Sequence, residues 1–229
     1  MNLKKIGGRN MNKVFIAPSI LSGDFANMGK AVKDLEKWGG DIVHCDVMDG
    51  VYVKNLTFGM PMIKALRKIT DKTLDVHLMI TKPERYVEEF VECGADIVTF
   101  HPEASQDALA TLQKIKSLGV KCGIVFNPDV DIDKYSHLFK YCDIILVMSV
   151  FAGLGGQKFI DYCLDRIKYV KQLLDEQNLD IPIEVDGGIT EENASKVVEA
   201  GASILVAGST VYNSKNPKKT IEKLRGTNY

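Results

Sequence analysis

The chain has 229 residues, 45% of them hydrophobic, which is enough to bury a substantial core. Its formal net charge of −1 gives no electrostatic basis for binding nucleic acid or a membrane surface, so we expect neither partner. No apolar run approaches the roughly 18 residues of a spanning helix, and the first residues lack the apolar stretch of a signal peptide. Five cysteines without a Cys-x-x-Cys pair favour reduced, buried thiols and a cytoplasmic protein.

In chain order, short β-rich runs recur about every 25–30 residues, and each is followed by a helical pattern. The predicted strands are Val14–Pro18, Ile42–Met48, Thr73–Met79, Asp96–His101, Val120–Phe126, Asp143–Ser149, Ile181–Asp186 and Ser203–Gly208. The helical segments between them include Met28–Trp38, Pro83–Glu92, Gln106–Leu118, Tyr162–Glu176 and Glu191–Ala200. Several helices are predicted to end at a glycine shortly before the next strand, as at Gly39, Gly94 and Gly201.

Eight such units without a linker predict one α/β domain, a (β/α)₈ TIM barrel that is the catalytic domain over residues 13–229. We expect residues 1–12 to be a poorly ordered N-terminal extension. An open, doubly wound parallel sheet is the alternative architecture. In both folds, functional residues gather at the C-terminal ends of the strands.

Three predicted strands end in acidic or imidazole side chains spaced two residues apart. The segments are His44-Cys45-Asp46, Asp75-Val76-His77 and Glu184-Val185-Asp186. Residues two apart in a strand share a face, and buried carboxylates without a cation would carry a large desolvation cost. We therefore predict that one divalent metal ion is bound by His44, Asp46, His77 and Asp186, rather than that they form a structural polar network. Zinc, iron(II), manganese or cobalt would suit these ligands.

Other residues near this cluster have different predicted roles. Asp75 lies too near the start of its strand to be a ligand, and is expected to orient His77 or a neighbouring strand. His101 also ends a strand and is a weaker fifth candidate ligand, whereas His137 is expected at the surface. Strand alternation directs Cys45 away from the cluster, into the packing.

Glycine-rich loops follow the last three predicted strands. They are Gly153-Leu154-Gly155-Gly156, Gly187-Gly188 and Gly208-Ser209. Glycine lets backbone N–H groups approach an oxyanion, and barrel phosphate sites commonly use the loops after strands seven and eight. We predict a phosphate site here, with ordinary tight turns as the alternative.

Three methionines lie at the C-terminal ends of strands: Met48, Met79 and Met148. Methionine in such a position usually packs in a core. At the mouth of a barrel it would instead form an apolar cover that excludes water, and the sequence leaves both roles open.

Together these segments resemble the ribulose-phosphate 3-epimerase family over nearly the whole chain from Ile16 onward. The matching motifs are Ala17-Pro18-Ser19-Ile20-Leu21, His44-Cys45-Asp46-Val47-Met48-Asp49-Gly50, Leu74-Asp75-Val76-His77-Leu78-Met79, Val147-Met148-Ser149, Glu184-Val185-Asp186-Gly187-Gly188 and Val206-Ala207-Gly208-Ser209. The resemblance implies a metal on the four predicted ligands and Asp46 and Asp186 as the two acid/base groups. It also implies that Ser19 and His77 lie near the substrate, and that its phosphate lies on the glycine loops.

The activity implied is a metal-dependent 3-epimerase that interconverts D-ribulose 5-phosphate and D-xylulose 5-phosphate through an enediolate, a step of the pentose phosphate pathway. No organic cofactor is needed, and we expect a homo-oligomer because family members commonly self-associate. D-Allulose 6-phosphate is the alternative substrate, because His101-Pro102-Glu103 resembles the motif of those epimerases. A non-catalytic phosphosugar-binding barrel is a remote alternative. Related lyases carry a lysine on strand three, where this chain has His77.

Two loops at the mouth depart from the family pattern. After Gly50 the family typically reads His-Phe-Val-Pro-Asn, and this chain reads Val51-Tyr52-Val53-Lys54-Asn55. Before the first glycine loop the family has Asn-Pro-Gly-Phe-Gly-Gly, against Phe151-Ala152-Gly153-Leu154-Gly155-Gly156 here. The choice between a pentose and a hexose phosphate is therefore open, as is the choice between solvent and substrate for Lys54.

Overall fold

A computed structural model describes residues 13–226, so the predicted extension at 1–12 lies outside the described residues. Eight strands form one parallel sheet in the order β1-β8-β7-β6-β5-β4-β3-β2. They are β1 (Phe15–Ala17), β2 (Ile42–Met48), β3 (Thr73–Met79), β4 (Ile97–Phe100), β5 (Lys121–Phe126), β6 (Ile144–Met148), β7 (Ile183–Asp186) and β8 (Ile204–Val206).

The barrel closes where β1 meets β2. There the N–H of Asp41 donates to the carbonyl of Ile16 at 2.8 Å, and the N–H of His44 donates to the carbonyl of Pro18 at 3.4 Å. This closure confirms the predicted single-domain (β/α)₈ TIM barrel and excludes the open doubly wound sheet.

Helices alternate with the strands. They are α1 (Met28–Trp38), α2 (Met60–Arg67), α3 (Val87–Glu92), α4 (Ala108–Ser117), α5 (Asp133–Ser136), α6 (Cys163–Glu176), α7 (Ala194–Glu199), α8 (Ser209–Tyr212) and α9 (Pro217–Leu224). The prediction of one continuous helix over Pro83–Glu92 was wrong, because a separate 3₁₀ turn at Pro83–Arg85 precedes α3. Tyr86, with φ −126° and ψ −12°, leaves helical geometry and separates the two. No helix in the described part of the chain is long and apolar enough to cross a membrane.

Glycines and aspartates in the turns after helices position the strands that follow. As predicted, the turns after α1, α3 and α7 contain glycines in the left-handed region, Gly39, Gly94 and Gly201. In the first two of these turns, an aspartate two residues after the glycine accepts a hydrogen bond from a neighbouring strand. Oδ2 of Asp41 accepts from the N–H of Ile16 at 3.0 Å, and Oδ2 of Asp96 accepts from the N–H of Leu74 at 2.8 Å. These two turns therefore set the position of a strand relative to its neighbour.

Side-chain alternation divides the core into two layers. Outward residues of β2, such as Val43, Cys45 and Val47, join the main core between the strands and the helices. This confirms that Cys45 points away from the barrel interior. The bottom of the interior is filled by a separate apolar cluster: Phe15, Ala17, Ile42, Ile97, Ile144, Ile204 and Val206. Polar side chains occupy the interior above this plug.

Candidate active site

The upper ends of β2, β3 and β7 bring four sequence-predicted residues together. One ligand atom each from His44, Asp46, His77 and Asp186 lies within 4.8 Å of the other three. Oδ1 of Asp46 is 3.4 Å from Nε2 of His44 and 3.3 Å from Nδ1 of His77. Oδ2 of Asp186 is 3.9 Å from Nε2 of His44. Two imidazole nitrogens and two carboxylates thus face one small volume.

This donor set is compatible with a divalent cation. Nε2 of His44 is fully buried and has no hydrogen-bond partner among the described residues, although it faces two carboxylates. A buried nitrogen without a partner is costly unless something binds it. Two nitrogen and two oxygen ligands suit zinc, iron(II), manganese and cobalt. The residues present therefore fit the metal that the family resemblance implies.

A contact at Nδ1, the second ring nitrogen, orients the side chain of His44. Nδ1 of His44 lies 2.7 Å from Oδ2 of Asp75, its register partner on β3. The contact assigns the proton to Nδ1 and leaves Nε2 as a ligand atom. Asp75 was predicted to orient either His77 or a neighbouring strand. The structure shows the second contact, because Asp75 orients His44 on β2.

Glu184 completes this buried network and was not predicted as a site residue. Its Oε1 lies 3.5 Å from Nδ1 of His44, and the side chain has no exposed surface. Burial and the adjacent Asp75 raise the pKa of Glu184 well above its usual range. The signal was available in the sequence, because Glu184 precedes Asp186 by two residues and shares its face.

The two site carboxylates have opposite pKa shifts. Burial opposes the charge on Asp46, but His44 and hydrogen bonds lower the pKa of Asp46 far below its usual range. Burial, and then the charge of Asp46, raise the pKa of Asp186 to about 7. Burial also lowers the pKa of His77 to about 4. At neutral pH, Asp46 is ionised, Asp186 is close to half protonated and His77 is neutral.

Ser19 holds Asp46 from the β1 side. Its Oγ donates a short hydrogen bond to Oδ2 of Asp46 and accepts one from the N–H of Leu21 at 3.2 Å. Ser19 is only 5% exposed and forms a parallel β-bridge with His44. The hydroxyl therefore stabilises the ionised form of Asp46.

A cavity opens above the cluster. It is lined by Asp46 and Asp186, by Ser19, by the three methionines Met48, Met79 and Met148, and by the loop residues Gly153, Leu154, Gly155, Gly156, Gly187, Gly188, Gly208 and Ser209. A Cβ on Gly187 would lie 2.4 Å from Cγ2 of Val150, and one on Gly208 would lie 2.6 Å from Oγ of Ser22. Glycine at these points lets the loops pack closely and leaves backbone facing the cavity.

The remaining candidates lie outside the cluster. Nε2 of His101 is 3.0 Å from Nε2 of His77, so His101 is a neighbour of a proposed ligand and not one of the four grouped residues. His137 and Lys54 are exposed, as predicted for His137. Sequence reasoning also missed a polar network at the rim, in which Tyr52 donates to Glu103 and accepts from Asn127.

Comparison with known proteins agrees with this geometry. A family profile described as "Ribulose-phosphate 3 epimerase family" matches residues 15–212. The chain is 49% identical to the ribulose-phosphate 3-epimerase of Bacillus subtilis, covering 93% of this chain and 98% of that protein. It is 44% identical to the Escherichia coli protein of the same name, covering 94% and 96%. Among solved structures, a 3-hexulose-6-phosphate synthase matches with a TM-score of 0.66 at 18% identity, over 95% of this chain and 100% of that one, which shows a shared fold.

Proposed function

This chain is an epimerase that belongs to the ribulose-phosphate 3-epimerase family, and on that premise we propose that it interconverts D-ribulose 5-phosphate and D-xylulose 5-phosphate with one divalent cation. The observation that carries the proposal is the pair of carboxylates that line one cavity, buried Asp46 and half-buried Asp186, whose pKa values are shifted in opposite directions. Inverting a carbon next to a ketone needs one group that removes a proton and another that returns one.

The cation would be held by Nε2 of His44, Nδ1 of His77 and one carboxylate oxygen each from Asp46 and Asp186. When bound, it would polarise the substrate carbonyl and offset the negative charge that develops on the oxygen. Asp75 keeps His44 in the tautomer that this binding requires.

The acid/base work is divided between two strands. Ionised Asp46, on β2, removes the proton from C3, while Ser19 keeps its carboxylate oriented. Protonated Asp186, on β7, returns a proton to the opposite face of the planar intermediate. In the metal-free protein, a pKa of about 7 for Asp186 supports this role, since such a group gains and loses a proton readily at neutral pH. In the reverse direction the two residues exchange roles.

The cavity supports the position proposed for the rest of the substrate. Its phosphate would lie against the glycine loops Gly153–Gly156, Gly187–Gly188 and Gly208–Ser209, whose backbone N–H groups suit an oxyanion. Met48, Met79 and Met148 would cover the reacting carbons and exclude water. Lower polarity there strengthens the electrostatic interactions with the developing charge.

The broader setting follows from this reaction. The step belongs to the pentose phosphate pathway, and we propose that it takes place in the cytoplasm. We also propose that the chain forms a homo-oligomer and uses no organic cofactor. D-Allulose 6-phosphate remains the competing substrate because the two mouth loops depart from the family pattern.

Proton NMR of D-ribulose 5-phosphate in D₂O tests the proposal directly. With metal-loaded protein, we expect deuterium to enter at C3 as D-xylulose 5-phosphate appears, and both changes to stop after chelation. The variants Asp46→Asn and Asp186→Asn, checked for metal content, should not epimerise.

The competing functions give different results in the same assay. No exchange with fully loaded protein would contradict the pentose assignment. D-Allulose 6-phosphate would then be tested in the same way. A second failure, with phosphosugar binding retained, would identify a non-catalytic binding barrel.

A further inference from the structure

A line of polar side chains runs outward from His77 to the rim of the barrel. Nε2 of His77 lies 3.0 Å from Nε2 of His101, and Nδ1 of His101 lies 3.5 Å from Oε1 of Glu103. The same Oε1 accepts from the hydroxyl of Tyr52 at 2.7 Å, and Nδ2 of Asn127 donates to that hydroxyl oxygen at 2.8 Å. Both imidazoles have no exposed surface, and the Glu103 side chain is 27% exposed.

The two facing imidazole nitrogens restrict where the protons can be. They form a hydrogen bond only if one nitrogen carries a proton and the other is bare. In one arrangement, His77 is protonated on Nε2, His101 is protonated on Nδ1, and that proton points to Glu103. In the reversed arrangement, His101 is protonated on Nε2 and His77 on Nδ1.

The two ends of the line favour opposite arrangements. Nδ1 of His77 lies 3.3 Å from Oδ1 of Asp46, which favours the reversed arrangement because a proton there would be shared with the carboxylate. The reversed arrangement also leaves a bare His101 nitrogen facing the Glu103 carboxylate, and two acceptors repel each other. Glu103 therefore favours the arrangement in which Nδ1 of His77 has a free lone pair.

The rim residues hold Glu103 in this position. Tyr52 belongs to the loop after β2, and its ring centroid lies 4.8 Å from that of His101. Asn127 accepts from the N–H of Ala152 at 3.1 Å, so the contact extends to the loop after β6.

We propose that Glu103 is a positioning residue that acts through His101 and favours the tautomer of His77 in which Nδ1 presents its lone pair to the cation site. Tyr52 and Asn127 keep Glu103 in place. The effect on cation affinity rests on the proposed metal-dependent function. The tautomer itself is a property of the metal-free protein. Buried partners of this kind typically change metal affinity about 10–100-fold.

Nitrogen-15 NMR of the histidine rings tests the tautomer without metal or substrate. The chain has four histidines, so the signals can be assigned by single substitutions. In the metal-free protein we expect a larger share of His77 with the proton on Nε2, and of His101 with the proton on Nδ1, than in the Glu103 variants. In Glu103→Leu, the His77 proton should move to Nδ1, and Kd for Co²⁺ should rise about 10–100-fold. Glu103→Gln, whose amide oxygen can still accept a hydrogen bond, and Tyr52→Phe should show partial shifts of the His77 proton. Both variants preserve side-chain size, so they test the proposal even if Glu103→Leu fails to fold.

The matched control is Glu92→Leu, which removes the same charge from an exposed position at the end of α3. It should change neither the ring signals nor the Kd. An unchanged His77 tautomer in all three site variants would overturn the proposal. If the tautomers shift as expected but the wild-type protein binds no divalent cation, the positioning role stands and the proposed metal-dependent function fails.

Discussion

Nδ1 of His44 and Oδ2 of Asp75 lie 2.7 Å apart in the barrel interior, at paired positions of adjacent strands. The pair is fully buried, so its electrostatic effect is screened little by water. Asp75 raises the pKa of His44 together with Asp46, although burial acts in the opposite direction. The contact therefore controls how basic the proposed ligand is.

Replacing Asp75 with asparagine should weaken metal binding. The amide oxygen still accepts from His44 but carries no charge, so we expect Kd for Co²⁺ to rise about tenfold or more. Titration of the metal-free protein with Co²⁺ measures the change. Asp71→Asn, at an exposed position just before β3, is the control and should leave Kd unchanged. Equal affinities for wild type and Asp75→Asn would show that Asp75 does not tune His44.

Metal affinity should increase with pH. A cation competes with the proton of Asp186, whose pKa is about 7 in the metal-free protein. Below pH 7 we expect affinity to rise by up to about tenfold per pH unit, with a smaller slope above pH 7. Calorimetry in buffers of different ionisation enthalpy counts the protons released. A slope that stays constant from pH 6 to pH 8 would contradict the assignment to Asp186.

The same shift in the pKa of Asp186 should affect the stability of the metal-free protein. The folded state holds the proton more tightly than the unfolded state, whose pKa is near 3.8. This contribution is fully present below about pH 4 and is lost as pH rises through about 7. Urea unfolding of wild type and Asp186→Asn across this range should show a steeper decline in the wild type. Parallel curves would exclude the linkage.

Removing the Ser19 hydroxyl should slow the reaction. Ser19→Ala leaves one oxygen of ionised Asp46 without its donor, and hydrogen bonds to charged groups contribute about 1.5–3 kcal/mol. We expect kcat to fall by about tenfold or more. Steady-state kinetics on D-ribulose 5-phosphate measures the effect. Ser117→Ala, at an exposed position ending α4, should have normal kinetics; equal kcat for the two variants would contradict a role for Ser19.

Two glycines with similar backbone angles should differ in their tolerance of alanine. A Cβ added to Gly156, with φ +72°, would meet no atom of the described residues within 4 Å, so Gly156→Ala should cost about 1–2 kcal/mol for the left-handed backbone alone. Gly188, with φ +63°, would place Cβ 2.3 Å from the backbone nitrogen of Phe159. Gly188→Ala should therefore destabilise the protein further, by about 3 kcal/mol or more in total. Urea unfolding compares the two, and equal losses would contradict the crowding argument.

Local sequence patterns predicted most of the fold and the centre of the site. Alternation placed His44 with Asp46 on one face, and the helix-to-strand rhythm predicted the barrel that brings them to His77 and Asp186. The contacts of Tyr52, Glu103 and Asn127 could not be predicted in this way. They lie on three different loops whose approach depends on the packing of the mouth, and no periodicity in the sequence links them. The break at Tyr86 was missed because Pro83–Glu92 has a continuous helical pattern.

The proposed ligands lie on strands from β2 to β7, and the barrel closes only where β1 meets β2. This arrangement affects when a cation can bind during synthesis of the chain. A growing chain that ends before β7 already carries His44, Asp46 and His77 but lacks Asp186, and its β1 still lacks β8, the strand it pairs with in the sheet. Three ligands on two adjacent strands hold a cation more weakly than four in a closed barrel. Under the proposed function, cation capture would thus come late, after nearly the whole chain has left the ribosome, and would mark completion of the barrel.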